Sequence, residues 1–209
     1  MTLCVLILAF DGVEALDFAG PFEVFTTASR VSQRMRPGTA APFDVASVAH
    51  AQRGQPVQAR AGLQLLANHT LADSPAADVL IVPGGVVDEP MASPDTLRWM
   101  ADQAAGAKIV ASVCTGAFLL AESGVVTNDS VTTHWEDIAE LRERFPSLDV
   151  REGVRWVDNG HIVSSAGISA GIDMSLHLVE RLAGRELAER TARQMDYEWN
   201  RNPSQPSSA

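Results

Sequence analysis

The hydrophobic pattern of this chain alternates between short apolar runs and longer periodic stretches. Apolar runs of strand length occur at residues 2–10, 43–50, 77–82 and 108–114. The stretches between and after them have helical spacing, and we predict helices over about 15–30, 94–105, 115–123, 134–145, 170–182 and 186–199. Because the runs are apolar throughout and do not alternate, they predict a mostly parallel sheet covered by helices on both faces.

Local turn and cap signals refine this pattern. Ser93 followed by Pro94 is typical of a helix N-terminus. Asn159-Gly160, between two apolar runs, predicts a tight β-hairpin turn. A glycine- and glutamine-rich region up to Thr70 also looks hairpin-like. We expect one domain over residues 1–200, followed by a flexible tail over 201–209.

Composition and charge narrow the class of protein. The 209 residues suit one well-filled domain. A formal net charge of -10, with no basic block, argues against a nucleic-acid partner. The apolar start lacks a positive leader region and ends at Asp11, far short of a membrane span, which argues against a membrane partner. Two cysteines cannot build a disulfide framework, so we expect a cytoplasmic protein.

Candidate chemistry lies where strands end, because ligands of parallel sheets bind beyond the carboxyl ends of their strands. Cys114 ends one apolar run and directly precedes a predicted helix, as in a nucleophile elbow. A helix N-terminus would lower the pKa of the thiol, and the Thr115 N–H would hold developing negative charge. The alternative, a small buried hydrophobe, is equally open on local evidence. Cys4, inside the first run, is expected only to pack.

Other polar residues near strand ends have competing interpretations. Asp17 either caps a short helix or moves a proton for the thiol, in which case burial would raise its pKa. Gly84 and Gly85 end a buried strand and allow close backbone approach to a ligand, or serve only the turn. His134 is more readily structural than catalytic. Asp173 is more readily a first-turn residue, stabilised by the helix dipole, than a catalytic residue.

Taken together, five motifs resemble the ThiJ/PfpI superfamily of class I glutamine amidotransferase-like proteins over nearly the whole chain. They are LDFAGPFEVF, IVPGG, ASVCTGAFLLAESG, VTTHW and SSAGISAGIDMSLHL. The resemblance implies a flavodoxin-like α/β sandwich with a nucleophile-elbow cysteine, and a homodimer. It implies that Cys114 is the nucleophile and Asp17 the acid/base partner, assisted by Thr115. Gly84 or Gly85 would supply a second oxyanion donor, and Ile168 would line the pocket.

The residue after the cysteine separates the branches of this superfamily. Protease-like members have histidine there and this chain has Thr115, which disfavours peptide or amide hydrolysis. The acid in LDFAGP is an aspartate, where many members use a glutamate from a differently spaced segment, and this favours the isonitrile hydratase branch. The resemblance then implies that the thiolate attacks the terminal carbon of an isocyanide, a small electrophile. The nitrogen takes a proton, and water releases an N-formyl product. We expect no cofactor and no metal, since the sequence lacks metal-ligand spacing, a dinucleotide fingerprint and a phosphate loop.

Two further functions remain open. The motifs also resemble the sensor domain of AraC-type regulators, so a ligand-sensing protein is one alternative. A thiol stress-response protein is the other. A DNA-binding regulator would need a basic module on the order of 100 residues after this domain. The 209 residues contain no such segment, so we expect no direct binding to DNA.

Overall fold

A computed structural model of the chain describes residues 1–201. The strands are β1 (Leu3–Ala9), β2 (Phe43–Ala49), β3 (Val57–Gln58), β4 (Gln64–Leu65), β5 (His69–Thr70), β6 (Val79–Val82), β7 (Ile109–Val113), β8 (Ser130–Val131), β9 (Asp149–Val150), β10 (Trp156–Asp158) and β11 (Ile162–Ser165). The helices are α1 (Ala15–Met35), α2 (Asp88–Met91), α3 (Pro94–Gly106), α4 (Gly116–Glu122), α5 (Ile138–Arg144), α6 (Ala170–Ala183) and α7 (Arg185–Gln194).

The main sheet has the strand order β10-β11-β7-β6-β1-β2-β5, and every neighbouring pair is parallel except β10 with β11. The chain moves from β1 to β2 in one direction along the sheet and from β6 to β7 in the other. Because parallel crossovers are right-handed, α1 and α3 lie on opposite faces. Helices α6 and α7 pack with α1, and α2 and α4 pack with α3. The predicted three-layer, flavodoxin-like sandwich is confirmed.

Burial explains why the central strands lack alternation. The side chains of β6 and β7 are buried along their whole length, as is most of β1, because helices cover both faces. Ser93 caps α3 by accepting a hydrogen bond from the Thr96 N–H, as predicted. The hairpin β10–β11 turns at Asn159 and Gly160, and β3 pairs with β4 as a second hairpin. In the described residues, no helix is long and apolar enough to cross a membrane.

The prediction for the end of the chain is partly wrong. The last helix was expected to reach residue 199 but α7 ends at Gln194, and Asp196 has a left-handed backbone with φ of 51°. The chain then turns back onto α6, where the Trp199 indole donates to the Asp173 carbonyl at 3.1 Å. Arg201, expected in the flexible tail, donates to Glu180 at 2.7 Å. The rest of the predicted tail, 202–209, lies outside the described residues.

Candidate functional site

The carboxyl ends of four strands meet at one edge of the sheet. Register pairs Ile7 with Ile81, Val82 with Ser112, and Val113 with Ser165. The segments that follow β1, β6, β7 and β11 therefore start side by side. They carry Asp17, Gly84, Gly85, Cys114, Thr115 and Ile168, which are the predicted site residues. The structure brings all six to one place, and their chemical roles remain predictions.

Cys114 occupies a strained turn between β7 and α4. Its φ of 55° lies in the left-handed region, which residues other than glycine adopt at a cost of about 1–3 kcal/mol. Its N–H donates to the Ser165 carbonyl at 3.1 Å, and its carbonyl accepts from the Thr133 hydroxyl at 2.8 Å. Gly116 follows because a Cβ there would come 2.1 Å from the Val82 carbonyl oxygen. These contacts hold the elbow with the thiol at the sheet edge.

Asp17 reaches the elbow because the segments after β1 and β6 pair with each other. Glu14 N–H donates to the Gly84 carbonyl at 2.8 Å, and Val86 N–H donates to the Gly12 carbonyl at 2.9 Å. This pairing directs the first turn of α1 toward Gly84, whose N–H donates to Asp17 Oδ2 at 3.2 Å. Asp17 is fully buried, and no described residue forms a hydrogen bond to its Oδ1.

Burial controls the proton affinity of both groups. Burial raises the pKa of Asp17 to about 7, and the Glu14 charge raises it further. Hydrogen bonds from the Gly84 N–H and the Cys114 thiol act in the opposite direction. Burial and then the Asp17 charge raise the pKa of Cys114 to about 12. The expected lowering of the thiol pKa by the helix N-terminus is therefore wrong. The thiol is only 7% exposed and lies beside a carboxyl group, and α4 has only 7 residues.

Two backbone N–H groups nevertheless favour negative charge on the sulfur. Those of Thr115 and Ile168 hydrogen-bond the Cys114 thiol. Ile168 was expected to line the pocket, and its backbone also contacts the sulfur directly. Its φ of 45° is a second left-handed conformation at this site. No local signal predicts it, because a β-branched residue avoids this region unless tertiary contacts impose it.

The predicted oxyanion donors are already hydrogen-bonded to protein groups. Gly84 N–H donates to Asp17, and Gly85 N–H donates to the Thr115 hydroxyl at 2.9 Å. That hydroxyl donates in turn to the Gly85 carbonyl at 3.0 Å. The side chain of Thr115 thus joins the segment after β6 to the elbow, and its backbone N–H bonds to the sulfur. An oxyanion role for Gly84 or Gly85 would require one of these bonds to be shared or given up.

The residues with competing interpretations have defined surroundings. His134 caps a short 3-10 turn at Trp135–Asp137, and its Nδ1 lies 3.5 Å from Asp137 Oδ2. Burial, then the charges of Asp44 and Asp78, raise the pKa of Cys4. Asp173 is fully buried in the first turn of α6. Within residues 1–201, no three His, Cys, Asp or Glu side chains converge where they could hold a metal ion.

Four exposed apolar side chains are at or next to residues of this region along the chain. Leu16, Val86 and Ile168, each at or next to a predicted site residue, are 40%, 49% and 40% exposed. Trp135, next to His134, is 74% exposed. A site with one thiol, one carboxyl group and exposed apolar neighbours suits a small ligand that has a reactive end and a hydrophobic substituent.

Comparison with known proteins agrees with this architecture. The chain is 33% identical to the isonitrile hydratase of Pseudomonas putida over 198 residues, which cover 94% of this chain and 79% of that protein. It is also 33% identical to the HTH-type transcriptional regulator GbdR of Pseudomonas aeruginosa over 149 residues, covering 71% of this chain and 40% of the regulator. The chain thus spans about two fifths of the regulator's length.

Solved structures show the same fold. A ThiJ/PfpI family protein from Pseudomonas syringae superposes with a TM-score of 0.82 at 25% identity, covering 100% of this chain and 80% of that one. Drosophila melanogaster DJ-1beta superposes with a TM-score of 0.78 at 20% identity, covering 95% of this chain and 100% of that one. The DJ-1/PfpI family model matches residues 4–181. With the cysteine elbow at the sheet edge and these matches, the chain belongs to the DJ-1/PfpI family.

Proposed function

We propose that this chain is an isonitrile hydratase-like enzyme that adds water to an isocyanide to give an N-substituted formamide. The observation that carries the proposal is the pairing of Cys114, on its strained elbow, with the buried carboxyl group of Asp17. The similarity to an isonitrile hydratase over most of the chain supports it. The exposed apolar side chains next to the site residues favour isocyanides with a hydrophobic substituent.

The first step adds the thiol across the terminal isocyanide carbon. Asp17 takes the thiol proton as the Cys114 sulfur bonds to that carbon, and the carbon then takes the proton from Asp17. The S–H bond is replaced by S–C and C–H bonds, which leaves a thioimidate. The first proton therefore goes to the carbon, and the nitrogen takes a proton only in the second step. This order differs from the one expected from the sequence, in which the nitrogen is protonated directly after the attack.

The second step uses water. A water molecule adds to the thioimidate carbon while the nitrogen is protonated, giving a tetrahedral adduct. The C–S bond then breaks, the hydroxyl proton returns through Asp17 to the sulfur, and the formamide leaves. The N–H groups of Thr115 and Ile168 contact the sulfur. They stabilise its negative charge when it leaves, as an oxyanion hole does for oxygen.

A ligand-sensing function is the second candidate, because 71% of this chain is similar to 40% of the length of the regulator GbdR. A sensor would bind a small molecule at the same edge of the sheet without turning it over. The measurement of turnover distinguishes the two functions.

Turnover of an aryl isocyanide tests the proposal. Purified protein is expected to form the N-aryl formamide, followed by ultraviolet absorbance. Cys114→Ala and Cys114→Ser are expected to lose at least about 10³-fold in rate, because the nucleophile is gone. Cys4→Ala is the matched control and is expected to keep the wild-type rate. Undiminished turnover in Cys114→Ala would contradict the proposal, and a folded wild-type protein that binds isocyanide without turnover would favour the sensor.

The pH dependence tests the role of Asp17. The carboxylate must be ionised to take the thiol proton, and its pKa is about 7. We expect kcat/KM to rise with pH through about 7 and to level off above it. Asp17→Asn is expected to lower kcat by about 10²–10⁴-fold and to remove this rise. Glu23→Gln, on the same helix with a half-exposed side chain, is the control. An unchanged rate in Asp17→Asn would leave Asp17 a structural residue.

The same variant is expected to be more stable than the wild type at alkaline pH. The pKa of Asp17 is raised from 3.8 to about 7, so the folded state holds the proton more tightly than the unfolded state. Below about pH 4, Asp17 is protonated in both states and does not lower the free energy of unfolding. As the pH rises to 7, its ionisation lowers the free energy of unfolding. The loss is on the order of 4 kcal/mol, at about 1.4 kcal/mol for each tenfold change in proton affinity.

Urea unfolding at pH 5 and pH 8 measures this effect. The difference in free energy of unfolding between Asp17→Asn and the wild type is expected to be larger at pH 8. Asp95→Asn, at an exposed first-turn position of α3, is expected to show no such growth. A constant difference between the two pH values would show that Asp17 does not have a raised pKa.

We also propose that the protein is a homodimer. Leu63 and Leu66, on and beside the β3–β4 hairpin, are 53% and 67% exposed and are available for contact with a second copy of the chain. Sedimentation at micromolar concentration is expected to give twice the mass of one chain. Leu63→Glu combined with Leu66→Glu is expected to shift the protein toward monomer. A wild-type monomer under these conditions would contradict the proposal.

A further inference from the structure

The segment 166–169 joins β11 to α6 and contains Ile168, whose N–H contacts the Cys114 sulfur. Both ends of this segment bond to Arg155. The Ala166 N–H donates to the Arg155 carbonyl at 2.8 Å, and Arg155 Nη2 donates to the Ser169 hydroxyl at 3.3 Å. One residue, with its backbone and its guanidinium group, therefore spans the whole segment.

Asp173 fixes the direction of that guanidinium group. Its buried carboxylate accepts from Arg155 Nε at 2.5 Å and from the Asn200 N–H at 2.9 Å. The Trp199 indole donates to its carbonyl, so the C-terminal segment packs against the same point. The Arg155 side chain is 33% exposed, whereas that of Asp173 is fully buried. A planar guanidinium group held by a buried carboxylate has little rotational freedom left.

The conformation of Ile168 needs such support. A left-handed φ at a β-branched residue persists only when the surrounding structure imposes it. The side chain of Ile168 is 40% exposed, so its own packing is not sufficient. Gly167 packs against the His134 ring so closely that a Cβ there would come 2.0 Å from Cδ2, which limits the segment on one side. Arg155 limits it at both ends.

We propose that Arg155, oriented by Asp173, is a positioning residue that holds Ile168 in its strained conformation, with the N–H directed at Cys114. Arg155 itself has no described contact with the thiol. Its effect on the sulfur passes through the segment 166–169. Arg155 would act on the same site as the proposed function. Only the measurement of isocyanide turnover depends on that function, whereas amide exchange and alkylation do not.

The consequence follows from the charges around the sulfur. Burial disfavours the thiolate most, followed by the charge of Asp17 on α1 and that of Asp137 on the short 3-10 turn, where His134 lies beside it. The N–H groups of Thr115 and Ile168 favour it. Loss of one of these two donors removes part of the stabilisation that opposes burial and the two carboxylates. Thiol reactivity should therefore depend on Arg155.

The experiment replaces Arg155 with methionine, which keeps length without the guanidinium group. Hydrogen exchange of the Ile168 amide, followed by NMR, is expected to become at least about tenfold faster. Alkylation of Cys114 by iodoacetamide, followed by mass spectrometry from pH 7 to 10, is expected to slow by about tenfold, with its pH profile moved upward. If the wild type hydrates isocyanide, kcat is expected to fall by a similar factor with little change in KM.

Graded variants and a matched control separate positioning from loss of stability. Arg155→Lys keeps the ion pair without the planar fork and is expected to recover part of the alkylation rate. Ser169→Ala removes one contact of Arg155 and is expected to have a smaller effect in the same direction. Arg181→Met breaks a comparable ion pair, between α6 and Asp158 at 2.9 Å, far along the helix from Ser169. It is expected to leave amide exchange and alkylation as in the wild type.

Three results would overturn the proposal. One is a folded Arg155→Met protein with wild-type exchange at Ile168 and wild-type alkylation. Another is an equal change in Arg181→Met, which would indicate general loosening of α6. If Arg155→Met does not fold, wild-type behaviour of both Arg155→Lys and Ser169→Ala would overturn it. Alkylation needs no isocyanide, so a protein without hydratase activity would still decide this question.

Discussion

Close packing at Gly84 is the constraint on which the site depends. A Cβ at this position would come 2.6 Å from the Thr115 nitrogen, 2.6 Å from the Thr115 hydroxyl oxygen and 2.9 Å from Asp17 Oδ2. Only a residue without a side chain lets the segment after β6 lie against both the elbow and the first turn of α1. Gly85 and Gly116 allow similarly close backbone approaches on either side. Backbone packing therefore brings the elbow, the segment after β6 and the first turn of α1 together.

This packing places two ionisable groups where neither is readily ionised. Asp17 is fully buried and one of its oxygens has no hydrogen-bond partner among the described residues. The nearby thiol is nearly as buried, and the Asp17 charge raises the pKa of the thiol further. Such an arrangement lowers stability, and proteins retain such costs mainly at functional sites. A carboxyl group whose pKa is about 7 is suited to exchange a proton with the thiol during a reaction.

Backbone strain converges on the same sulfur from two directions. Cys114 and Ile168 both have left-handed conformations, and they come from the ends of neighbouring parallel strands. Ser165 and Thr133 hold the first, whereas Arg155 and the packing of Gly167 limit the second. The buried Asp173 carboxylate joins this support to the C-terminal segment. Residues that never contact the thiol thus take part in its surroundings.

The sequence by itself determined the order of elements, the parallel sheet, the position of Cys114 between strand and helix, and the edge where the site lies. These features follow from hydrophobic period, glycine and proline chemistry and the geometry of parallel strands, all of which are local or general. Only the tertiary structure decided that the Gly84 and Gly85 N–H groups are already bonded, that burial raises the pKa of the thiol, and that Ile168 contributes its backbone. It also decided where the last helix ends, because Trp199 and Asn200 bond to Asp173, 26 or more residues earlier. Contacts between residues distant in sequence fix these features, and no local pattern records such contacts.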